Sequence, residues 1–170
     1  MHITSLRTAL LVTAALALSA CGWHPRGSSD VTLPMRQLHI DSAGPDDAVS
    51  IRVKRLLGVA GVEVRSDVGH SPSLHLGAEH RSTRKVSLDR SARAAEQEMR
   101  VSVSFDVRNT DGDIVFGPRT ASANRIYAFD PNSIIALQGE EKLILSELRD
   151  EVANQILRQL RHVPSTVDSQ

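Results

Sequence analysis

The arrangement best suited to chemistry in this chain is Leu18-Ser19-Ala20-Cys21, in which two small residues and the only cysteine follow an apolar run. A cysteine so placed accepts a diacylglyceryl group on its thiol. Cleavage of the Ala20–Cys21 bond then frees an amino group for a further acyl chain, so Cys21 reads as a lipidation site. The run from Ala9 to Ala20 follows Met1, His2 and Arg7 and is about a dozen residues long, against about 20 for a membrane-spanning helix. It is an export signal by length. The competing reading is an ordinary secretory signal with an incidental cysteine, since small residues also suit ordinary signal peptidase. Gly22 follows Cys21, whereas aspartate at that place marks many lipoproteins for retention in the inner membrane. The expected destination is the outer membrane, through the N-terminal lipid.

Other reactive side chains are sparse. Gly69-His70-Ser71-Pro72-Ser73 comes near a nucleophile elbow, but serine replaces the last glycine and no strand-turn-helix pattern surrounds it. His75, Glu79 and His80 suggest a metal, yet on one regular strand His75 and His80 point to opposite faces, leaving His75 with Glu79 alone. Two ligands do not make a site, so no metal and no cofactor are expected. Gly58 and Gly61 fit a helix end better than a phosphate loop. No histidine lies in a pattern that specifies a catalytic base, and no catalytic residue is assigned. The basic stretch Arg81, Arg84, Lys85, Arg90 and Arg93 stands out, opposed only by Asp89 before Glu96. Guanidinium forks match phosphate oxygens in a bidentate way, so Arg84, Lys85, Arg90 and Arg93 are candidate ligands for a phosphate-bearing lipid whose acyl chains would want Val86 and Leu88. The bland alternative is a solvated basic loop.

The elements that position these residues follow from periodicity. Gly22 to Pro34 is rich in proline, glycine and serine and reads as a tether. Met35 to Asp41 is a short strand. Asp46 or Asp47 caps a helix carrying Val49, Val53, Leu56, Leu57 and Ala60, with Gly61 to stop it. Ser73 to Val86 reads as one strand. Met99, Val101, Val103, Phe105 and Val107 alternate with polar residues, predicting a strand dry on one side and wet on the other. Asn109 to Asp113 makes a hairpin turn into a return strand, Ile114 to Phe129, interrupted at Gly117-Pro118. A short helical turn over 133–137 precedes a helix from about Glu140 to His162, whose stripe is Leu145, Leu148, Val152, Ile156 and Leu160. The order predicts an α+β two-layer sandwich: two helices packed on one face of a four-stranded mixed, largely antiparallel sheet. The other sheet face has no third layer and is open to a partner or to solvent.

The expected domains are a signal peptide over 1–20, a lipidated tether over 21–34, the sandwich over 35–164 and a disordered tail over 165–170. Removing the signal leaves roughly 150 residues, close to the usual size of one domain. The chain has 20 basic and 20 acidic residues and 3% aromatics, which argues against nucleic acid as a partner. With a single cysteine, no internal disulfide can form and packing alone must hold the domain.

Several short stretches, in this order and spacing, resemble the LPS-assembly lipoprotein family, LptE. They are Cys21-Gly22-Trp23-His24, Arg26-Gly27, Arg90, Ala95-Glu96, Arg125, Tyr127, Asp130-Pro131, Glu140-Glu141, Glu147-Leu148, Gln155-Ile156-Leu157 and Leu160. The resemblance implies two helices against a four-stranded sheet. It also implies a non-enzymatic plug that sits in the LptD β-barrel, helps to assemble it, and binds lipopolysaccharide for delivery to the outer leaflet. Pro25 departs from the apolar residue usual there, and Gln138-Gly139 stand where the family would place a second basic lipopolysaccharide contact. Two other functions remain open: a periplasmic lipoprotein hydrolase using His70 or Ser71, and an envelope adaptor for another protein or peptidoglycan.

Overall fold

A computed structural model describes residues 33–44, 47–67, 69, 71–88, 94–130 and 134–164. The expected signal, almost all of the tether and the tail lie outside the described residues. Six strands and two helices follow one another as β1 (Gln37–Ser42), α1 (Ala48–Val59), β2 (Glu63–Arg65), β3 (Ser73–Leu76), β4 (His80–Leu88), β5 (Ala94–Arg108), β6 (Ile114–Ala128) and α2 (Ile134–Leu160).

Local chemistry accounts for the ends of α1. Asp47 Oδ1 accepts the Val49 N–H at 3.1 Å, and the Ser50 hydroxyl donates to the Asp47 carbonyl at 3.0 Å. The first satisfies an N–H that the opening turn would otherwise leave open, and the second adds to the Asp47 carbonyl that already accepts the Ile51 N–H. At the other end Gly61 adopts φ +80°, and the Val62 and Gly61 N–H groups return to the Leu57 and Gly58 carbonyls. This is a Schellman closure, with Val62 buried beside Leu57 as its apolar contact.

The sheet is mixed and largely antiparallel. β1 pairs in parallel with β2 on one side and β3 on the other, while β5 pairs antiparallel with β3, β4 and β6. Two differences from the sequence reading concern strand count. The three-residue β2 goes unnoticed in the sequence because one half-buried valine between two charged residues carries no period. The expected strand Ser73 to Val86 is two strands along the same side of β5, with Leu76 opposite Phe105 but His80 opposite Ser102. One extra residue is therefore accommodated between Gly77 and His80, which makes a bulge and inverts the face alternation beyond it. Gly77 lies at this point against Ser104, whose hydroxyl would have to turn aside for a Cβ there.

The rest follows the sequence pattern closely. Met99, Val101, Val103, Phe105 and Val107 are all buried, facing Leu148, Val152, Ile156 and Leu160 of α2. The hairpin turn forms with Gly112 at φ +90° and with Asn109 Oδ1 accepting the Asp111 and Asp113 N–H groups. Helix α2 runs unbroken from Ile134 through Gly139, absorbing the separate turn expected over 133–137. A single glycine costs a helix only about 1 kcal/mol, which the packing of the following turns offsets. Helix α1 packs on α2, where Arg52 donates to Asp150 Oδ1 at 2.8 Å and to the Ser146 hydroxyl at 2.9 Å. Both helices thus cover one sheet face, and no described element covers the other.

Candidate functional site

The basic stretch lies on the β4–β5 hairpin, and strand geometry divides it. Arg84 and Glu98 are cross-strand partners, in one row with Ile126 of β6 on the uncovered face. Lys85 pairs with Gln97, in the row of Tyr127, and so shares the helix-side face. The two candidate cations therefore point to opposite sides of the sheet edge. Arg90 and Arg93 belong to the connection between β4 and β5 and lie outside the described residues, as does Cys21.

The Arg84 fork is already engaged. Its Nε and Nη2 donate to the two Glu98 oxygens at 3.1 and 2.8 Å, while Arg100 Nη2 lies 3.7 Å from the same carboxylate. The Glu98 side chain is 5% exposed and that of Arg84 68%, so the arginine lies over the carboxylate and shields it. Hydrogen bonds from Arg84 hold the Glu98 carboxyl below its usual range and raise the guanidinium in return. Glu98 was not singled out by the sequence. Its signal is that the β5 alternation, extended backwards from Met99, makes it a wet-face residue, but its partner depends on hairpin register.

The bulge also reassigns the possible metal ligands. Glu79 faces the helix layer, where Arg149 Nε and Nη2 donate to its carboxylate at 2.8 Å each. His75 and His80 both lie on the opposite, uncovered face, reversing the expectation that His75 shares a face with Glu79. His75 Nδ1 instead lies 3.1 Å from Asp41 Oδ2. Among the described residues no three metal-ligating side chains gather. Ser71 is buried, and its hydroxyl has no hydrogen-bond partner among the described residues. His70 lies outside them.

A third feature connects residues that looked unrelated in the sequence. Tyr127 OH donates to Glu141 Oε1 at 2.8 Å and lies 3.3 Å from Gln97 Oε1. Arg125 Nη2 lies 3.1 Å from Glu147 Oε2, and the Ser122 N–H donates to Gln155 Oε1 at 2.9 Å. Descending β6 and ascending α2, these are three rungs joining strand to helix. Burial first, and then the Glu141 hydrogen bond and charge, push the Tyr127 hydroxyl from 10.0 up to about 12.

The domain is a two-layer α+β sandwich with one open, polar sheet face and a charged hairpin edge, an architecture that leaves its function to be read from its relatives. Among the described residues no helix is long and apolar enough to cross a membrane. The sequence model of the family LptE, described as lipopolysaccharide-assembly, matches residues 35–160. The chain belongs to the LptE family, and it is a non-enzymatic envelope lipoprotein.

Relatives carry the same name. The chain is 28% identical over 154 residues to "LPS-assembly lipoprotein LptE" of Photorhabdus laumondii, covering 90% of this chain and 84% of the relative. It is 26% identical over 155 residues to the protein of that name from Pectobacterium atrosepticum, covering 90% and 83%. Among solved structures, a lipoprotein B of Nitrosomonas europaea aligns with TM-score 0.68 at 21% identity, covering 82% of this chain and 90% of the other. The rare lipoprotein B of Shewanella oneidensis aligns with TM-score 0.64 at 24% identity, covering 72% and 91%. These structures bear out the α+β class and the placing of the helices.

Proposed function

We propose that this chain is a subunit of the outer-membrane lipopolysaccharide translocon, lipidated at Cys21, seated in the LptD β-barrel and binding lipopolysaccharide for transfer to the outer leaflet. The observation that carries this reading is the family match across 35–160, on relatives whose names specify lipopolysaccharide assembly. The proposed organisation is a signal over 1–20, a lipidated tether over 21–34, the sandwich over 35–164 and a C-terminal tail over 165–170. A polar, uncovered sheet face suits the lumen of a membrane barrel, which is itself polar.

Lipopolysaccharide carries phosphates beside acyl chains. In the proposed site Lys85, which has no carboxylate partner among the described residues, acts with Arg90 and Arg93 as phosphate ligands. Arg84 joins them only in competition with Glu98, which makes it the weakest of the four. Charge-assisted hydrogen bonds contribute roughly 1.5–3 kcal/mol each. Replacing both Arg90 and Arg93 with glutamate is therefore expected to weaken lipopolysaccharide binding at least tenfold, with the melting temperature little changed. Wild-type binding is expected to weaken with added salt.

Affinity of the two proteins at two salt concentrations, together with recovery of the barrel on purification, tests the reading. Unchanged affinity with an intact fold removes Arg90 and Arg93 from the site, and normal affinity with loss of the barrel moves them to the protein interface. Wild-type protein that never co-purifies with an outer-membrane barrel sinks the translocon reading. Mass spectrometry of the mature N-terminus tests the anchor, since an unmodified Cys21 would contradict it.

A further inference from the structure

β6 is an edge strand among the described residues, pairing with β5 alone. The Phe129 N–H donates to the Ala95 carbonyl at 2.9 Å, and the same register continues to Arg119 opposite Phe105. Odd-numbered residues therefore turn their main-chain groups toward β5. Even-numbered residues, Thr120 to Ala128, turn theirs to the open edge. An edge of this length, with uncharged residues at all its outward positions, is a template for another strand.

One contact interrupts that template. The Ser122 N–H, near the middle of the outward set, donates at 2.9 Å to the Gln155 side chain, which reaches round from α2. An incoming strand that paired along the edge would need this donor. Of the three rungs between β6 and α2, this is the one that takes a main-chain group of the strand.

We propose that Gln155 guards the β6 edge against a second copy of this chain, which would otherwise add its own β6 as an antiparallel strand. Length and charge together favour one register for the pairing it prevents, since only an axis at Asn124 pairs the whole outward set from Thr120 to Ala128. A two-fold axis at Asn124 sets Arg125 opposite Ala123 and Arg119 opposite Phe129, with no like charges facing. An axis at Ser122 would set Arg119 against Arg125, which is destabilising.

The test is the sedimentation of the detergent-purified full chain over a range of protein concentrations. Wild type is expected to sediment as a monomer, and Gln155→Ala to self-associate at least tenfold more tightly. Gln155→Glu keeps an acceptor for the Ser122 N–H and is expected to stay monomeric. Ser122→Pro removes the outward donor without breaking the ladder to β5, so Gln155→Ala with Ser122→Pro is expected to return to monomer.

A folded Gln155→Ala as monomeric as wild type would overturn the guard. Dimers that survive Ser122→Pro would come from another surface and would overturn it equally. If Gln155→Ala fails to fold, hydrogen exchange in the wild type decides. The Ser122 amide is expected to be protected while those of Asn124 and Ile126 exchange freely, and a Ser122 amide as fast as its neighbours refutes the contact.

Discussion

Alkaline titration of the single tyrosine reads the β6–α2 seam directly. Tyr127 is the only tyrosine in the chain, so the rise in absorbance near 295 nm reports this one phenol. Its hydroxyl is expected to ionise with a midpoint of about 12, because burial and the Glu141 carboxylate both oppose the phenolate. A rise from 10.0 to about 12 corresponds to ~2.7 kcal/mol of preference for the neutral form. The ring is buried, but the hydroxyl lies among polar groups near the end of the layer, so screening reduces the stability at stake to about 1–2 kcal/mol. The folded value is raised, so this contribution is present in full below pH 10 and is lost as pH rises from 10 to 12. Glu141→Gln removes the charge but not the burial, and is expected to bring the midpoint down to between 10 and 12. Stopped-flow jumps to alkaline pH measure the phenol before any unfolding, with circular dichroism to confirm that the fold persists. A wild-type midpoint at the ordinary 10 would mean that the hydroxyl faces water and that the rung does not form.

Phe105 is fully buried on the helix-side face of β5, so Phe105→Ala is expected to cost about 3–5 kcal/mol in denaturant unfolding. The exposed neighbour Ser104→Ala is expected to change stability by less than about 0.5 kcal/mol, and equal losses would place the strand with its faces inverted. Arg149→Met removes the guanidinium that closes on Glu79, whose side chains are 28% and 14% exposed respectively. With partial access to water the expected cost is about 2 kcal/mol, below the range for fully buried pairs, and a loss under about 0.5 kcal/mol would show that the clamp is idle. Because Arg84 depresses Glu98, its contribution is present above the ordinary carboxyl value of 4.5 and is lost as pH falls through the lower folded value. Melting temperatures at pH 7, 4.5 and 3 are expected to fall less steeply for Arg84→Gln than for wild type, and parallel curves would count against the pair.

How much of this was legible in the sequence depends on whether a signal was local. The alternation over Met99 to Val107 could be read because every second side chain enters one core. Helix α1 could be read because Asp47 and Gly61 mark its ends with specific chemistry. The bulge before His80 could not, since the shift is defined only against β5, and Gly77 alone does not say which side of it gains a residue. That one displaced position carries Glu79 to the helix layer and leaves His75 and His80 together. The face of every β4 residue changes with it, so Lys85 lies with the helices and Arg84 with the open side.

Sequence resemblance also picked out residues whose chemistry only the fold connects. Arg125, Tyr127, Glu141, Glu147 and Gln155 appeared as short matched stretches far apart in the chain, with no chemistry to connect them. In the structure they close on one another, strand descending as helix ascends, at separations of 2.8 to 3.1 Å where Tyr127 meets Glu141 and Arg125 meets Glu147. Beneath them the β6 positions Ala121 and Ala123 are small, which lets α2 lie close to the strand, so polar rungs do work at this seam that apolar bulk does elsewhere in the core. A helix held to an edge strand by charge and hydrogen bonds has its register fixed more narrowly than packing alone would fix it, because each rung has one partner at one distance. The residues of the matched stretches that meet at this seam thus serve the placing of α2 along β6. The hairpin meets this seam only through Gln97, 3.3 Å from the Tyr127 hydroxyl, while its Arg84 closes on Glu98 on the opposite sheet face.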